Sequence, residues 1–313
     1  MQPLSQLRSL DLLEPSSPGR PLHLAAASGL VQVGDFLYVV ADDELHLGIF
    51  SRTSGHPGQL LRLFEGELPD EPKERKSAKP DLEALLVLPA FAGFPQGALL
   101  ALGSGSKRKR RQGIVLGLDA NGTPDGVLLR VDLSELYAEL KQTFDDLNIE
   151  GAFVIGDTIN LLQRGNKSAD SQNALIRLQL EPVLEAIAQG QPLPASAVLD
   201  IIGYDLGAAG DVPLCFTDGA ALPDGTWVFS AAAEATDNSY ADGELAGAAL
   251  GIADSRGNVL QLLPLDAGYK IEGVAAQVED GTLHLLLVTD ADNPEQAASL
   301  LAYPWQGYPF TVL

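Results

Sequence analysis

The stretch Ser28-Gly29-Leu30-Val31-Gln32-Val33-Gly34-Asp35-Phe36-Leu37-Tyr38-Val39-Val40 reads as an apolar strand, a Gly-Asp turn and a second apolar strand. Its opening phrase, a small or acidic polar residue followed by Gly or Ala and an apolar run, returns at Glu83-Ala84-Leu85, Glu150-Gly151-Ala152, Asp218-Gly219-Ala220 and Glu272-Gly273-Val274. In four of the five copies a turn of Gly with Asp or Glu follows, at Gly34-Asp35, Gly156-Asp157, Asp224-Gly225 and Asp280-Gly281, and then a second apolar run. The second copy replaces the turn by a longer loop, Pro89 to Gly97. Self-similarity at a long period, with tight turns inside each unit, marks a β-propeller. Five copies predict an all-β fold of five four-stranded antiparallel blades.

The repeats spread evenly along 313 residues, which predicts one domain over residues 1–313. Each repeat parses into four strands; in the third they fall at Gly151 to Ile155, Thr158 to Gln163, Ala174 to Leu180 and Ala197 to Tyr204. The fifth repeat ends one rim strand short. The segment Gln6 to Leu13 has the length and pattern to fill that gap, so the N-terminal strand is expected to close the ring. Three segments stand outside the repeats. Leu133 to Asp146 and Pro182 to Gly190 carry apolar residues at helical spacing, whereas Glu65 to Pro80, rich in Pro, Glu and Lys, reads as a solvated loop.

The formal charge of −22 sets the chain against nucleic acid and anionic membranes, whose phosphates it would repel. A single cysteine, Cys215, excludes an intramolecular disulfide and a cysteine-based zinc site. Met1 to Leu13 lacks a basic stretch followed by an apolar one, and no apolar run reaches membrane-spanning length, so a cytoplasmic protein is expected.

The innermost strands of a propeller surround its axis, so residues at one register form a ring. Here the ring is Ser28, Glu83, Glu150, Asp218 and Glu272. Four carboxylates brought together must hold protons or a cation. The oxygen-only donor set points to Ca²⁺, or alternatively Mg²⁺, rather than zinc. Because neighbouring strands run in opposite directions, the same face should gather Asp42, Asp43, Arg164 with Asn166, Glu234 and Asp290. It should also carry the loop Gly103 to Arg111, whose Ser104, Ser106, Lys107, Arg108 and Arg110 offer hydroxyls and positive charge to a small anionic ligand. Neither a P-loop, a nucleophile elbow nor a zincin pair is present.

On Ser28-Gly29-Leu30 and Lys270-Ile271-Glu272-Gly273 the chain resembles the five-bladed calcium-activated nucleotidases, the apyrases. Asp81-Leu82-Glu83-Ala84 with the Gly-Ser basic loop resembles phytase-like and uncharacterised bacterial propellers. The resemblance implies a channel Ca²⁺ and assigns no catalytic set around Asp42 and Arg164. The residues themselves suggest a metal-assisted hydrolase of a phosphate ester or anhydride, with Asp42 or Asp43 as base and Arg164, Lys107 and Arg108 clamping the anion. Two alternatives stay open: a non-catalytic propeller with a structural cation that binds a small molecule or protein, and a lactone or ester hydrolase.

Overall fold

Every strand–turn–strand unit of the sequence becomes the inner half of a four-stranded antiparallel sheet, and five such sheets form a five-bladed β-propeller. The computed structural model describes residues 4–168, 171–238, 243–265 and 268–308. Strand β1 (Ser5–Ser9) precedes the first blade, which comprises β2 (Ala27–Val33), β3 (Phe36–Ala41), β4 (His46–Ser51) and β5 (Gln59–Arg62). A short helix, α1 (Pro72–Ala78), leads to the second blade, β6 (Leu82–Leu88), β7 (Ala98–Gly103), β8 (Gln112–Leu118) and β9 (Pro124–Asp132). After α2 (Ser134–Leu140) come β10 (Ile149–Ile155), β11 (Thr158–Gln163) and β12 (Asn173–Gln179); α3 (Leu180–Gln189) then intervenes before the rim strand β13 (Val198–Tyr204). A two-stranded ribbon, β14 (Ala208–Ala209) and β15 (Val212–Pro213), precedes the fourth blade of β16 (Cys215–Ala221), β17 (Trp227–Glu234), β18 (Leu245–Ala253) and β19 (Val259–Leu265). The fifth blade has β20 (Lys270–Glu279), β21 (Thr282–Asp290) and β22 (Ser299–Trp305), and its fourth strand is β1, paired with β22 from Ser5↔Ala302 to Ser9↔Ser299. The ring closes as the short final repeat implied. The closing strand ends at Ser9, and Asp11 and Leu12 continue as single bridges to His23 and Gly58.

One apolar cluster fills each junction between blades. Tyr38 and Val40 meet Leu85 and Leu99 at the first, and Leu86 and Leu100 meet Ile159 and Leu161 at the second. Phe153 and Leu162 meet Phe216, Trp227 and Phe229 at the third. Val228 and Leu250 meet Leu285 and Leu301 at the fourth, and Ala275 and Val288 meet Leu37 and Val39 at the fifth. A middle strand faces a junction on both sides, which is why β7 and β17 are buried throughout, while the rim strand β9 is mostly exposed.

The glycines of the opening phrase follow from crowding at the axis. A Cβ on Gly29 would lie 2.6 Å from the carbonyl oxygen of Glu83, and one on Gly151 would lie 2.7 Å from the Cα of Asp218. Neighbouring inner strands therefore approach backbone to backbone, with each opening residue held at the mouth of the channel.

Both helices expected from apolar spacing form, shorter at Ser134–Leu140 and longer at Leu180–Gln189. Glu65 to Pro80, expected as a solvated loop, instead holds α1. The Glu71 carboxylate accepts a hydrogen bond from the Glu74 N–H and Pro72 stands in the first turn. Two of its basic residues, Arg75 and Lys79, are buried against the propeller, while Lys73 is exposed.

Candidate active site at the propeller axis

Each inner strand slips register by one residue near its start, and the slips fall at Ser28, Glu83, Glu150, Thr217 and Glu272. A bulge of this kind bends the strand and re-aims the extra side chain. Ser28, Glu83, Glu150 and Glu272 accordingly line one cavity of about 260 Å³. In the fourth blade the bulge falls one residue earlier than the Asp-Gly phrase implies. Thr217 Oγ1 lies 2.7 Å from Ser230 Oγ and 2.8 Å from the Ile271 carbonyl oxygen. Asp218, expected as a cation ligand, is thereby turned out of the cavity. Its carboxyl accepts hydrogen bonds from the N–H groups of Gly219 (2.8 Å) and Val274 (2.9 Å) and also from Leu30. Burial pushes its pKa well above the usual carboxylate range against these amides. It ties the inner strands of the fourth, fifth and first blades together at the axis.

The remaining acids face cations that belong to the chain. Arg164, at the end of β11, lies 3.1 Å from Glu150, 2.5 Å from Glu234 and 3.6 Å from Glu272. Lys270 lies 3.2 Å from Glu272, 2.9 Å from Asp292 and 3.8 Å from Asp290 and Glu234. Desolvation opposes both charges, yet the surrounding carboxylates hold both pKa values well above normal. Lys79 bonds Asp42 and lies 2.9 Å from Asp81, while Arg110 lies 2.7 Å from Asp81. Arg20 and Arg75 bracket Asp43 and Glu44, with Arg20 to Asp43 at 2.6 Å. Asp43 is thus engaged in the wall, and burial raises its pKa. Asp290 also lines the cavity, its pKa raised well above normal by burial, and accepts from the Asp292 N–H at 2.8 Å.

The basic loop does not reach over the cavity. Arg110 alone of Lys107 to Arg111 lines it, buried against Asp81, Ser106 Oγ and the Lys76 carbonyl. Ser104 and Ser106 stand behind that wall, where Ser104 donates to Asp81. Lys107 and Arg108 are exposed at the rim, because the 3₁₀ turn Arg108–Arg110 directs one side chain inward and leaves the others outside. Asn166 lines the cavity and donates to Asp146 at 2.9 Å.

Several wall residues lie outside the sequence-derived set: Lys79, Asp81, Asn148 and Lys270, with Arg20 and Arg75. Asp81, Asn148 and Lys270 each stand two positions before a bulged acid, so strand alternation puts them on its face. That signal was present in Asp81-Leu82-Glu83 and Lys270-Ile271-Glu272. Asp81 adopts φ 60°, a conformation few non-glycine residues take, and Asp is among those that tolerate it.

Glu83 differs from every other acid of the ring. It is nine-tenths buried, opens on the cavity and has no hydrogen bond or ion pair among the described residues. Burial, followed by the neighbouring Glu150, Asp81 and Asp42, raises its pKa well above normal. Glu150 is pushed up to about 7 by burial, restrained by Arg164. One oxygen each of Asp42, Asp81 and Glu83 lie within 4.8 Å of one another, a span that the ligands of a hard cation cover. The Lys79 ammonium already stands against two of the three.

Among the described residues no helix is long and apolar enough to cross a membrane. The chain is similar in fold to the α-L-arabinofuranosidase PaAbf62A of Podospora anserina, solved with cellotriose, at 13% identity and a TM-score of 0.51 over 96% of each chain. It is also similar to a glycosyl hydrolase of Bacteroides ovatus, at 10% identity and a TM-score of 0.41 over 96% of this chain and 90% of that one. The hydrazine synthase of Kuenenia stuttgartiensis matches at 11% identity and a TM-score of 0.41; 90% of this chain aligns with 63% of that one. These likenesses concern the ring of blades, and they do not show the resemblance to calcium-activated nucleotidases. No curated protein matches the chain. Residues 23–303 match the model of a family of unknown function, DUF6929, and the chain belongs to that family.

Proposed function

We propose that the axial cavity is the active site of a hydrolase in which Glu83 donates the proton, acting on a small hydroxyl-rich substrate such as a glycoside. The observation that carries this reading is the Glu83 carboxyl itself, buried, facing the cavity and without a hydrogen bond or ion pair among the described residues, so that burial favours its protonated form. A neutral carboxyl beside an ion-paired carboxylate is what general acid–base hydrolysis requires. Asp42, tied to Lys79 and with an oxygen within 4.8 Å of Glu83, supplies that carboxylate. Carboxyl groups this close leave no room for a water between them and match a double displacement. Asp42 attacks the anomeric carbon and displaces the leaving group as Glu83 protonates the departing oxygen. Water then cleaves the glycosyl ester on Asp42 while giving its proton to the Glu83 carboxylate, which restores both groups.

The walls favour hydroxyls over phosphate. Arg20, Arg75, Lys79, Arg110, Arg164 and Lys270 are each ion-paired to an acid, which leaves little uncompensated positive charge for a phosphoryl dianion. Carboxylates with Asn148 and Asn166 offer the acceptors and donors that a polyol uses. A glycoside-cleaving propeller of similar fold makes that bond the first to test.

The test is turnover of aryl glycosides, aryl phosphates and lactones, each with and without chelator. Glycoside turnover is expected, reduced about 10²-fold or more in Glu83→Gln, with a rate that falls as pH rises through the deprotonation of Glu83. Phosphate turnover abolished by chelator would instead establish metal-assisted phosphoryl chemistry. Inactivity on all three classes would leave a binding propeller.

A further inference from the structure

The carboxylates of Asp42, Asp81 and Glu83 come from two blades and converge on one point beside the axis. Each is positioned by separate means. Asp42 follows the end of β3. Asp81 is fixed by Ser104 and Arg110 on one oxygen and Lys79 on the other. Glu83 is aimed by the bulge in β6. Lys79 is the residue that terminates α1. Pro80 holds it extended, at φ −58° and ψ 146°, and Asp81 at φ 60° turns the chain so that Lys79 and Asp81 face each other two residues apart.

We infer that these three carboxylates are a cation site which the chain fills with its own Lys79, and that Lys79 and a hard divalent cation compete for it. Ammonium is a compact point charge with donors spread in three directions, the closest that a side chain comes to a bound metal ion. Its placement answers the electrostatic demand that the acids create, and neighbouring Asp42, Asp81 and Glu83 all favour its charged form. Lys79 and Arg110 answer Asp42 and Asp81, and the carboxyl left over is Glu83, nine-tenths buried and without a hydrogen bond or ion pair among the described residues. A doubly charged ion would satisfy all three. Ca²⁺ tolerates an irregular set of oxygen ligands completed by water, whereas Mg²⁺ demands octahedral geometry, so Ca²⁺ is the better competitor. The inference concerns the charge balance alone and stands whether or not the cavity hydrolyses anything.

Lys79→Met removes the ammonium and keeps the apolar stem. Titrated with CaCl₂ in a calorimeter, the variant should bind one Ca²⁺ at least tenfold more tightly than the parent, and its Tm should rise with Ca²⁺ while the parent's does not. Glu83→Gln added to Lys79→Met should abolish the gain. A parent that binds Ca²⁺ as tightly as the variant, or that loses Tm in chelator, overturns the inference, since Lys79 would not be the resident counter-ion. A folded Lys79→Met with no gain overturns it equally. Should the variant be unstable without metal, its recovery as folded protein in Ca²⁺ but not in NaCl of equal ionic strength is the expected result, and failure to recover in either refutes the competition. Substrate turnover plays no part in these readings, so they fail independently of the hydrolase proposal.

Discussion

Replacing Arg164 with Met withdraws the guanidinium shared by Glu150, Glu234 and Glu272 while roughly keeping its volume. Removing one partner of a buried ion pair costs about 3–5 kcal/mol, because the other charge is left uncompensated. Lys270, 3.2 Å from Glu272 and 3.8 Å from Glu234, still covers part of that charge, which places the expected loss near the lower end, about 3 kcal/mol at pH 8. With an unfolding entropy of roughly 2.1 cal/mol/K per residue over 313 residues, that is a drop in Tm of about 5 °C. The loss should depend on pH in a fixed direction. Glu150 and Glu272 have folded-state pKa values above their unfolded values, and without the guanidinium these rise further. A carboxyl whose folded pKa is raised destabilises only above its unfolded pKa, where the unfolded chain releases the proton that the folded chain retains. The difference between variant and parent should therefore shrink as pH falls from 8 towards 5, to about 1 kcal/mol. Urea unfolding at both pH values measures it. An equal loss at pH 8 and pH 5, or one under about 1 kcal/mol at pH 8, would show that Arg164 contributes by packing and that the axial acids do not rely on it for charge.

Asp218→Ala strands three buried backbone N–H groups and should cost about 3 kcal/mol or more in urea unfolding, whereas Asp218→Asn, which keeps one acceptor, should lose less. The triple replacement of the exposed Lys107, Arg108 and Lys109 by Ala should leave stability within about 0.5 kcal/mol and leave turnover of any cavity substrate unchanged. Arg110→Ala, which breaks the buried pair with Asp81, should by contrast cost about 3 kcal/mol or more. Deleting residues 4–9 uncovers the edge of β22 and removes the Arg8 bonds to the Ser54 and His56 carbonyls, so limited proteolysis should cut the fifth blade at protease levels that the parent resists.

The blades were legible because the constraints that build them act on single residues. Crowding at the axis demands Gly or Ala after each opening residue, and tight hairpins demand Gly34 and Gly156 at φ 58°. Three ring acids that line the cavity, Glu83, Glu150 and Glu272, were readable for the same reason. The fourth was not. Asp218-Gly219 matches Glu150-Gly151 letter for letter in type, but the bulge sits on Thr217, and a shift of register is a property of the paired strand rather than of the phrase. The counter-ions were hidden differently. Arg75 and Lys79 lie in a stretch whose Pro and charge content resembles disorder, although Glu71-Pro72-Lys73-Glu74 carries a helix start. The Lys107–Arg111 run drew notice by its charge density, yet only the residue that the 3₁₀ turn points inward meets the cavity.

The pairing of β1 with β22 joins residues 297 positions apart, as at Ser5 and Ala302. Closing a loop of that length costs about 5 kcal/mol in chain entropy by the logarithmic rule. During synthesis Ser5–Ser9 emerges first and waits without its partner until Ser299–Trp305 has left the ribosome. Blades one to four each draw all their strands from contiguous sequence and are free to form as they appear, so the fifth blade alone waits for strands that lie far apart in the chain. A chain that stops before β22 leaves the ring open, with the edges of β1 and β21 both unpaired. Closure of the ring is thus tied, by the order of the strands, to the appearance of β22. A permuted gene beginning at β2, with β1 moved behind β22, would make the fifth blade local and remove that wait.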